Sequence, residues 1–174
     1  MPKSLDFGLW GCRVYSKIMA LVRILVDGYS LLHQWPELAP GKPRHSAAAR
    51  DELIGRLALY QDAVGTPVTI FFDGNSGPSG TAPASSRAEV EVLYSKSGQT
   101  ADQMIERATH RFGPYGEVIA VTDDHAERET VSSLGGLASS CLNFIRTVES
   151  ALAEQADDIK HYNRKERRRF DRRP

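Results

Sequence analysis

No run of about 18 apolar residues occurs anywhere in the 174-residue chain, so no segment reads as a membrane span. Cysteine is scarce. Cys12 and Cys141 stand far apart without metal-ligand spacing, which argues against a disulfide framework or a zinc site and favours a reducing, cytoplasmic setting. No Gly-x-x-x-x-Gly-Lys loop occurs, and no Gly-x-Gly-x-x-Gly follows a strand, so the usual nucleotide cradles are missing. Residues 137–143 hold no lysine, which speaks against a phosphoacceptor receiver domain. Internal repeats are absent too.

Net charge is also lacking, with 22 basic and 22 acidic residues, but this balance hides a separation. Residues 160–174 hold eight Lys or Arg against Glu166 and Asp171, a balance of +6. Residues 1–20 carry +2, and residues 21–159 carry 11 basic and 19 acidic residues, a balance of −8. An acidic body with a basic end suggests a polyanionic partner, with Arg167, Arg168 and Arg169 as its contacts. The plainer alternative is a solvated, disordered tail. Residues 1–20 show neither period nor a signal-peptide core. They read as an extension, disordered or upstream of the true start, since Met19 stands just before the first strand.

The body, residues 21–156, alternates strand and helix signals, followed by a basic tail over 157–174. LVRILVD (21–27) and PVTIFFD (67–73) are continuous apolar runs suited to strands buried on both faces of a parallel sheet. Ser46 caps a predicted helix carrying Leu53, Ile54, Leu57 and Ala58 on one face, stopped by Gly65 and Pro67. EVEVLYS (89–95) alternates as a shorter strand, and Thr100-x-x-Gln103 opens a helix to about Phe112. EVIAVTDD (117–124) is the next strand. A helix over about 126–134, a short strand near 137–140 and a helix to about 156 complete the body. This succession predicts an α/β three-layer sandwich with a mostly parallel, Rossmann-like central sheet.

In such a sheet ligands bind beyond the carboxyl ends of the strands. Asp27, Asp73 and the pair Asp123–Asp124 end three strands there, and Asp102 opens a helix on the same edge. Singly each has a structural reading, as a turn residue or a helix-start acid. Together, carboxylates within about 4–6 Å repel by roughly 1–4 kcal/mol per pair, which a bound cation would relieve. Oxygen-only ligands select Mg²⁺ or Mn²⁺ rather than zinc. The metal-ligand candidates are then Asp27, Asp73, Asp102 and the pair Asp123–Asp124. A cation so held activates water and neutralises charge on a phosphodiester in flight, so no catalytic histidine is required. His125 reads as a surface helix-start residue. Tyr29 and Trp35 are candidate base-stacking aromatics as well as half-buried packing residues. Ser30 and Asn75 offer hydrogen bonds to a phosphate or a metal ligand.

The segments Val26-Asp27-Gly28-Tyr29-Ser30-Leu31-Leu32, Phe71-Phe72-Asp73-Gly74, Val90 to Ser95, Thr100-Ala101-Asp102 with Ile105-Glu106, and Val121-Thr122-Asp123-Asp124 with Glu127 come in an order that resembles the YacP-like NYN domain of the PIN-like nucleases, over roughly residues 21–155. That resemblance implies a PIN-like fold and a Mg²⁺- or Mn²⁺-dependent endoribonuclease of bacterial RNA turnover. It implies an acidic site at Asp27, Asp73, Asp102 and Asp124. The implied partner is single-stranded or messenger RNA, with a ribosome as a candidate presenting particle. The sequence departs from the family at Ser30, where Asn is typical. It offers Ala138 and Asn143 where an Arg and a Glu are favoured. These departures define the alternative, an RNA-binding adaptor with little or no catalytic activity.

Overall fold

The computed structural model describes residues 20–74, 90–96 and 98–170. The expectations for residues 1–19 and for Asn75 lie outside the described residues.

Five strands form one all-parallel sheet: β1 (Leu21–Asp27), β2 (Val68–Phe72), β3 (Glu91–Tyr94), β4 (Glu117–Val121) and β5 (Leu137–Ser139), in the order β3-β2-β1-β4-β5. The apolar continuity of a strand follows its place in this order. β1 and β2 are internal, and β2 is buried at every residue; β3 is an edge, and its exposure alternates. Among the described residues five α-helices cover the sheet: α1 (Gly28–Gln34), α2 (Ala47–Val64), α3 (Ala101–Phe112), α4 (His125–Ser133) and α5 (Cys141–Phe170). One face packs Ile24, Val26, Ile70 and Phe72 against Leu31, Leu53, Leu57, Phe144 and Val148 of α1, α2 and α5. The opposite face packs Leu25, Phe71 and Ala120 against Ala101, Ile105 and Val131 of α3 and α4. Ser46 caps α2 by accepting from Ala49 N, and Gly65 ends it in the left-handed conformation (φ 73°), as the sequence predicts.

Two helices differ from their sequence expectation. α1 was not expected, because Asp27-Gly28 reads as a turn. Instead the Asp27 carboxylate caps a seven-residue helix, accepting from Tyr29 N and Ser30 N. Gly28 is required there for a packing reason: a Cβ would come within 2.3 Å of the Phe72 ring. α5 runs to Phe170, well beyond the expected end near Ala156. Its buried stripe, Cys141, Phe144, Ile145 and Val148, ends early, with Ala151 and Leu152 partly packed, so the apolar period fades where the helix does not. Beyond that point the helix has no Gly or Pro to stop it and gains short-range pairs, Lys160–Asp157 at 3.1 Å and Arg169–Glu166 at 3.7 Å. Arg167, Arg168 and Arg169 occupy its last turn, where cations favour the helix dipole.

Candidate active site

From β1 the sheet extends outward through β2 and β3 on one side and through β4 and β5 on the other. A crevice opens at the carboxyl ends where the direction switches, between β1 and β4. Asp27 closes β1 beside it. Its Oδ1 accepts the two backbone N–H groups of α1 at 3.1 and 3.2 Å, and its Oδ2 accepts the Ser30 hydroxyl at 2.7 Å. Asp102 arrives from α3, in the first turn after the Thr100 cap. Because Thr100 accepts from Gln103 N, Asp102 has no capping duty and stays exposed. Glu127 arrives from the first turn of α4, on the inward face it shares with Val131, and is 5% exposed.

Asp27, Asp102 and Glu127 each offer a carboxylate oxygen within 4.8 Å of the others. Neither oxygen of Glu127 has a hydrogen-bond partner among the described residues. Burial pushes the Glu127 carboxyl up to about 7; Thr122, short of hydrogen-bonding geometry, pulls it down, and Asp102, Asp27 and Asp124 add to the rise. The Asp102 carboxyl is also raised, first by burial and then by Asp27, Asp124 and Asp73. Anionic oxygens pressed together, with a buried one left orphaned, are costly in isolation. A hard divalent cation would be the complementary group. The all-oxygen donor set fits Mg²⁺ or Mn²⁺.

The other predicted aspartates are tied to helix starts. Asp73 accepts Ala101 N at 2.6 Å, joining the end of β2 to α3. Asp124 accepts Ala126 N and Glu127 N at 2.8 and 3.3 Å, capping α4. Asp123 accepts Cys141 N at 2.9 Å, at the start of α5. Asp73 and Asp124 lie outside the 4.8 Å group, though their charge reaches Asp102. Asp124 also joins Asp102, Glu106, Glu127 and Thr130 in lining a cleft of about 160 Å³.

The predicted substrate contacts are dispersed. Ser30 lies against Asp27. The Tyr29 ring packs on Phe72 (5.1 Å) and His45 (4.7 Å), and its hydroxyl accepts from Arg50. Trp35 is 4% exposed, a core residue and not a stacking platform, because it closes the apolar layer under α1. His125 is exposed and pairs with Glu129. Ala138 and Asn143 line a different cavity, between β5 and α5. Arg167, Arg168 and Arg169 are exposed at the far end of α5. Glu127 was not among the predicted ligands. The available signal is its position three residues after the Asp124 cap and four before Val131, which puts a carboxylate on the buried face of α4.

The YacP-like NYN domain matches residues 24–173. The Bacillus subtilis protein YacP is 33% identical over 128 residues, covering 73% of this chain and 75% of that one. The crystal structure of Bacillus subtilis Rae1 (YacP) superposes with a TM-score of 0.69 at 26% identity, covering 85% of this chain and 84% of that one. A tryptophan-to-leucine mutant of the same protein gives 0.68 at 27% identity, covering 82% and 84%. No helix among the described residues is long and apolar enough to cross a membrane.

Proposed function

The chain belongs to the YacP-like NYN domain family, and from that membership we propose that it is an endoribonuclease that cuts RNA phosphodiester bonds with a divalent cation held by Asp27, Asp102 and Glu127. The observation that carries this reading is the carboxylate group within 4.8 Å whose buried member, Glu127, has no partner among the described residues. Mg²⁺ or Mn²⁺ held there would polarise a phosphodiester oxygen and lower the pKa of a bound water.

Each residue has a distinct task in this proposal. Asp27 is fixed by two backbone N–H groups and the Ser30 hydroxyl, so its position does not depend on the substrate. Asp102 is the exposed member of the group, open to an approaching phosphate. Glu127 is the buried member of the group, its carboxyl raised to about 7 by burial. Asp73 and Asp124 act as positioning residues, setting the starts of α3 and α4, which carry Asp102 and Glu127. Arg167, Arg168 and Arg169 add long-range attraction for RNA.

One observation favours the adaptor reading. The Ser30 hydroxyl occupies Asp27 Oδ2, the oxygen that the α1 N–H groups leave free. Cleavage of end-labelled single-stranded RNA with Mn²⁺, Mg²⁺ or EDTA separates the two, comparing wild type with Asp27→Asn. Asn is itself a good helix cap, so the variant keeps α1. Metal-dependent cuts lost in the variant establish the nuclease; RNA binding without cuts in any metal rejects it for the adaptor.

A further inference from the structure

The second face of the sheet is covered unevenly. α3 and α4 lie over β1, β4 and β5, and α3 sits chiefly on β1 and reaches β2, so that among the described residues β3 is the least covered strand on this side. A groove of about 390 Å³ opens between β3 and α3. Phe71 and the exposed Leu93 form its floor. Arg107 and Arg111 project from its helical wall, one turn and about 6 Å apart along the axis. Arg23 closes the lower end. Its Nη1 donates to Thr69 Oγ1 and pairs with Glu91 at 3.1 Å, its guanidinium lies 4.4 Å from the Phe112 ring centre, and its buried Nε has no partner among the described residues.

Three guanidiniums face one carboxylate here, a local balance of +2 in a body of −8 over residues 21–159. Neither Arg107 nor Arg111 is in a salt bridge among the described residues, although the Arg111 guanidinium lies 5.6 Å from the Phe112 ring centre. The groove also shares α3 with the acidic site. Asp102 and Glu106 line the cleft on one flank of the helix, while Arg107 and Arg111 line the groove on the other. Gln99, at the upper end of the groove, immediately precedes the Thr100 cap, so only the first turn of α3 separates the two. From Asp102, Arg107 and Arg111 lie about 7 and 13 Å down the helix axis, a distance that two to three extended nucleotides span.

We propose that this groove holds the single-stranded RNA flanking the cleaved bond, its phosphates on Arg107 and Arg111 and its bases against the exposed Leu93. The proposal rests on the nuclease reading for the position of the cleaved bond and on the groove alone for RNA binding. The basic end of α5 attracts RNA from a distance, whereas the groove sets which stretch of strand lies across the site.

The test measures binding of labelled 4- and 12-nucleotide unpaired RNAs in EDTA across a salt series. It compares wild type, the double variant Arg107→Ala/Arg111→Ala and the double variant Arg107→Lys/Arg111→Lys. Both arginines are exposed on a helix, so neither variant disturbs the core. The alanine variant is expected to lose about tenfold in affinity for the 12-mer, with the slope of log affinity against log salt shallower by about 1.4, and to leave the 4-mer nearly unchanged. Lysines at both positions should preserve the slope. An unchanged 12-mer affinity and slope overturns the proposal, as does equal loss on both lengths. Mn²⁺-dependent cleavage by wild type, run in parallel, keeps the two readings apart. Groove-dependent binding without cleavage rejects only the nuclease; cleavage with groove-independent binding rejects only the groove.

Discussion

The carboxyl edge of the sheet and the outer half of α5 carry opposite charge and are held by opposite means. At the edge, Asp27, Asp73, Asp123 and Asp124 each accept backbone N–H groups at the start of a helix, so strand ends and helix starts fix one another. The outer half of α5 is exposed, and the interactions that sustain it are those within a helix. Under the proposed nuclease function the contrast follows from what each charge would do. A metal site must hold oxygens to a fraction of an ångström before the substrate arrives, and only over-determined geometry does that. Attraction of a polyanion acts over a Debye length of about 8–10 Å and tolerates motion, so it needs no scaffold.

The largest expected effect separates the free carboxylates from the capping ones. Asp102→Asn removes an oxygen from the candidate cation site while touching no cap, since Thr100 serves α3. Metal-dependent cleavage should fall by at least about a hundredfold, because even groups one step removed from a metal cost 10–100-fold. Stability without metal should hold or rise, since the desolvation and the neighbouring carboxylates that lift the Asp102 carboxyl act on its charge, which Asn lacks. Thermal melting alongside the cleavage assay reads both; a loss of activity matched by a loss of fold would place Asp102 with the structural acids instead.

The next effect is on stability and depends on pH. The folded-state value of Glu127 is raised from 4.5 to about 7, so between those values the folded protein binds more protons than the unfolded chain. Stability of the metal-free protein should therefore fall as pH rises from about 4.5 to 7, with the full cost present above 7. The scale is roughly 3 kcal/mol. Glu127→Gln should flatten this dependence, and Mn²⁺ should restore wild-type stability above pH 7 while leaving the variant unmoved. A metal-free wild type whose denaturant midpoint does not fall across that range would exclude a costly Glu127 anion.

How much of this was legible beforehand differs between the same two regions. The strand ends are readable because an aspartate that stops an apolar run marks both the end of burial and the edge of the sheet; Asp27 comes from that pattern, and Asp102 from a helix start on the same edge. The double duty of Asp73 and Asp124 was not, because capping depends on where the next helix begins, and Asp123 could not be separated from its neighbour by spacing alone. Glu127 escaped for a tertiary reason: a glutamate in a short polar helix looks solvated until α3 and β1 are placed against it. α1 was hidden by Asp-Gly, whose turn preference outweighs seven residues of weak helical period. The long α5 was hidden because its outer half rests on helix propensity, while its expected end was read from the loss of buried residues.

A cap substitution tests the same division at smaller scale. Asp123→Ala removes the acceptor for Cys141 N at the start of α5 and leaves Asp27, Asp102 and Glu127 in place. The expected cost is about 1 kcal/mol in stability, with cleavage per folded molecule nearly unchanged. A variant that stays fully stable but loses cleavage would move Asp123 from the scaffold into the site.

The smallest effect on the fold belongs to the basic end. Replacing Arg167, Arg168 and Arg169 together by alanine removes three cations from exposed positions in the last turn of α5. Alanine keeps the helix propensity, and the lost dipole and Glu166 interactions are each worth well under about 1 kcal/mol at such a surface, so melting should barely move. RNA affinity should drop, with the salt slope shallower by about 2 if all three meet phosphates. The rate of cleavage at saturating RNA should not change, because the outer half of α5 contributes no oxygen to the acidic group. A fall in that saturated rate would break the comparison between the two regions. It would mean that the basic helix takes part in positioning the cleaved bond and not only in capturing the strand, and that the exposed half of α5 gains its order from the RNA it holds.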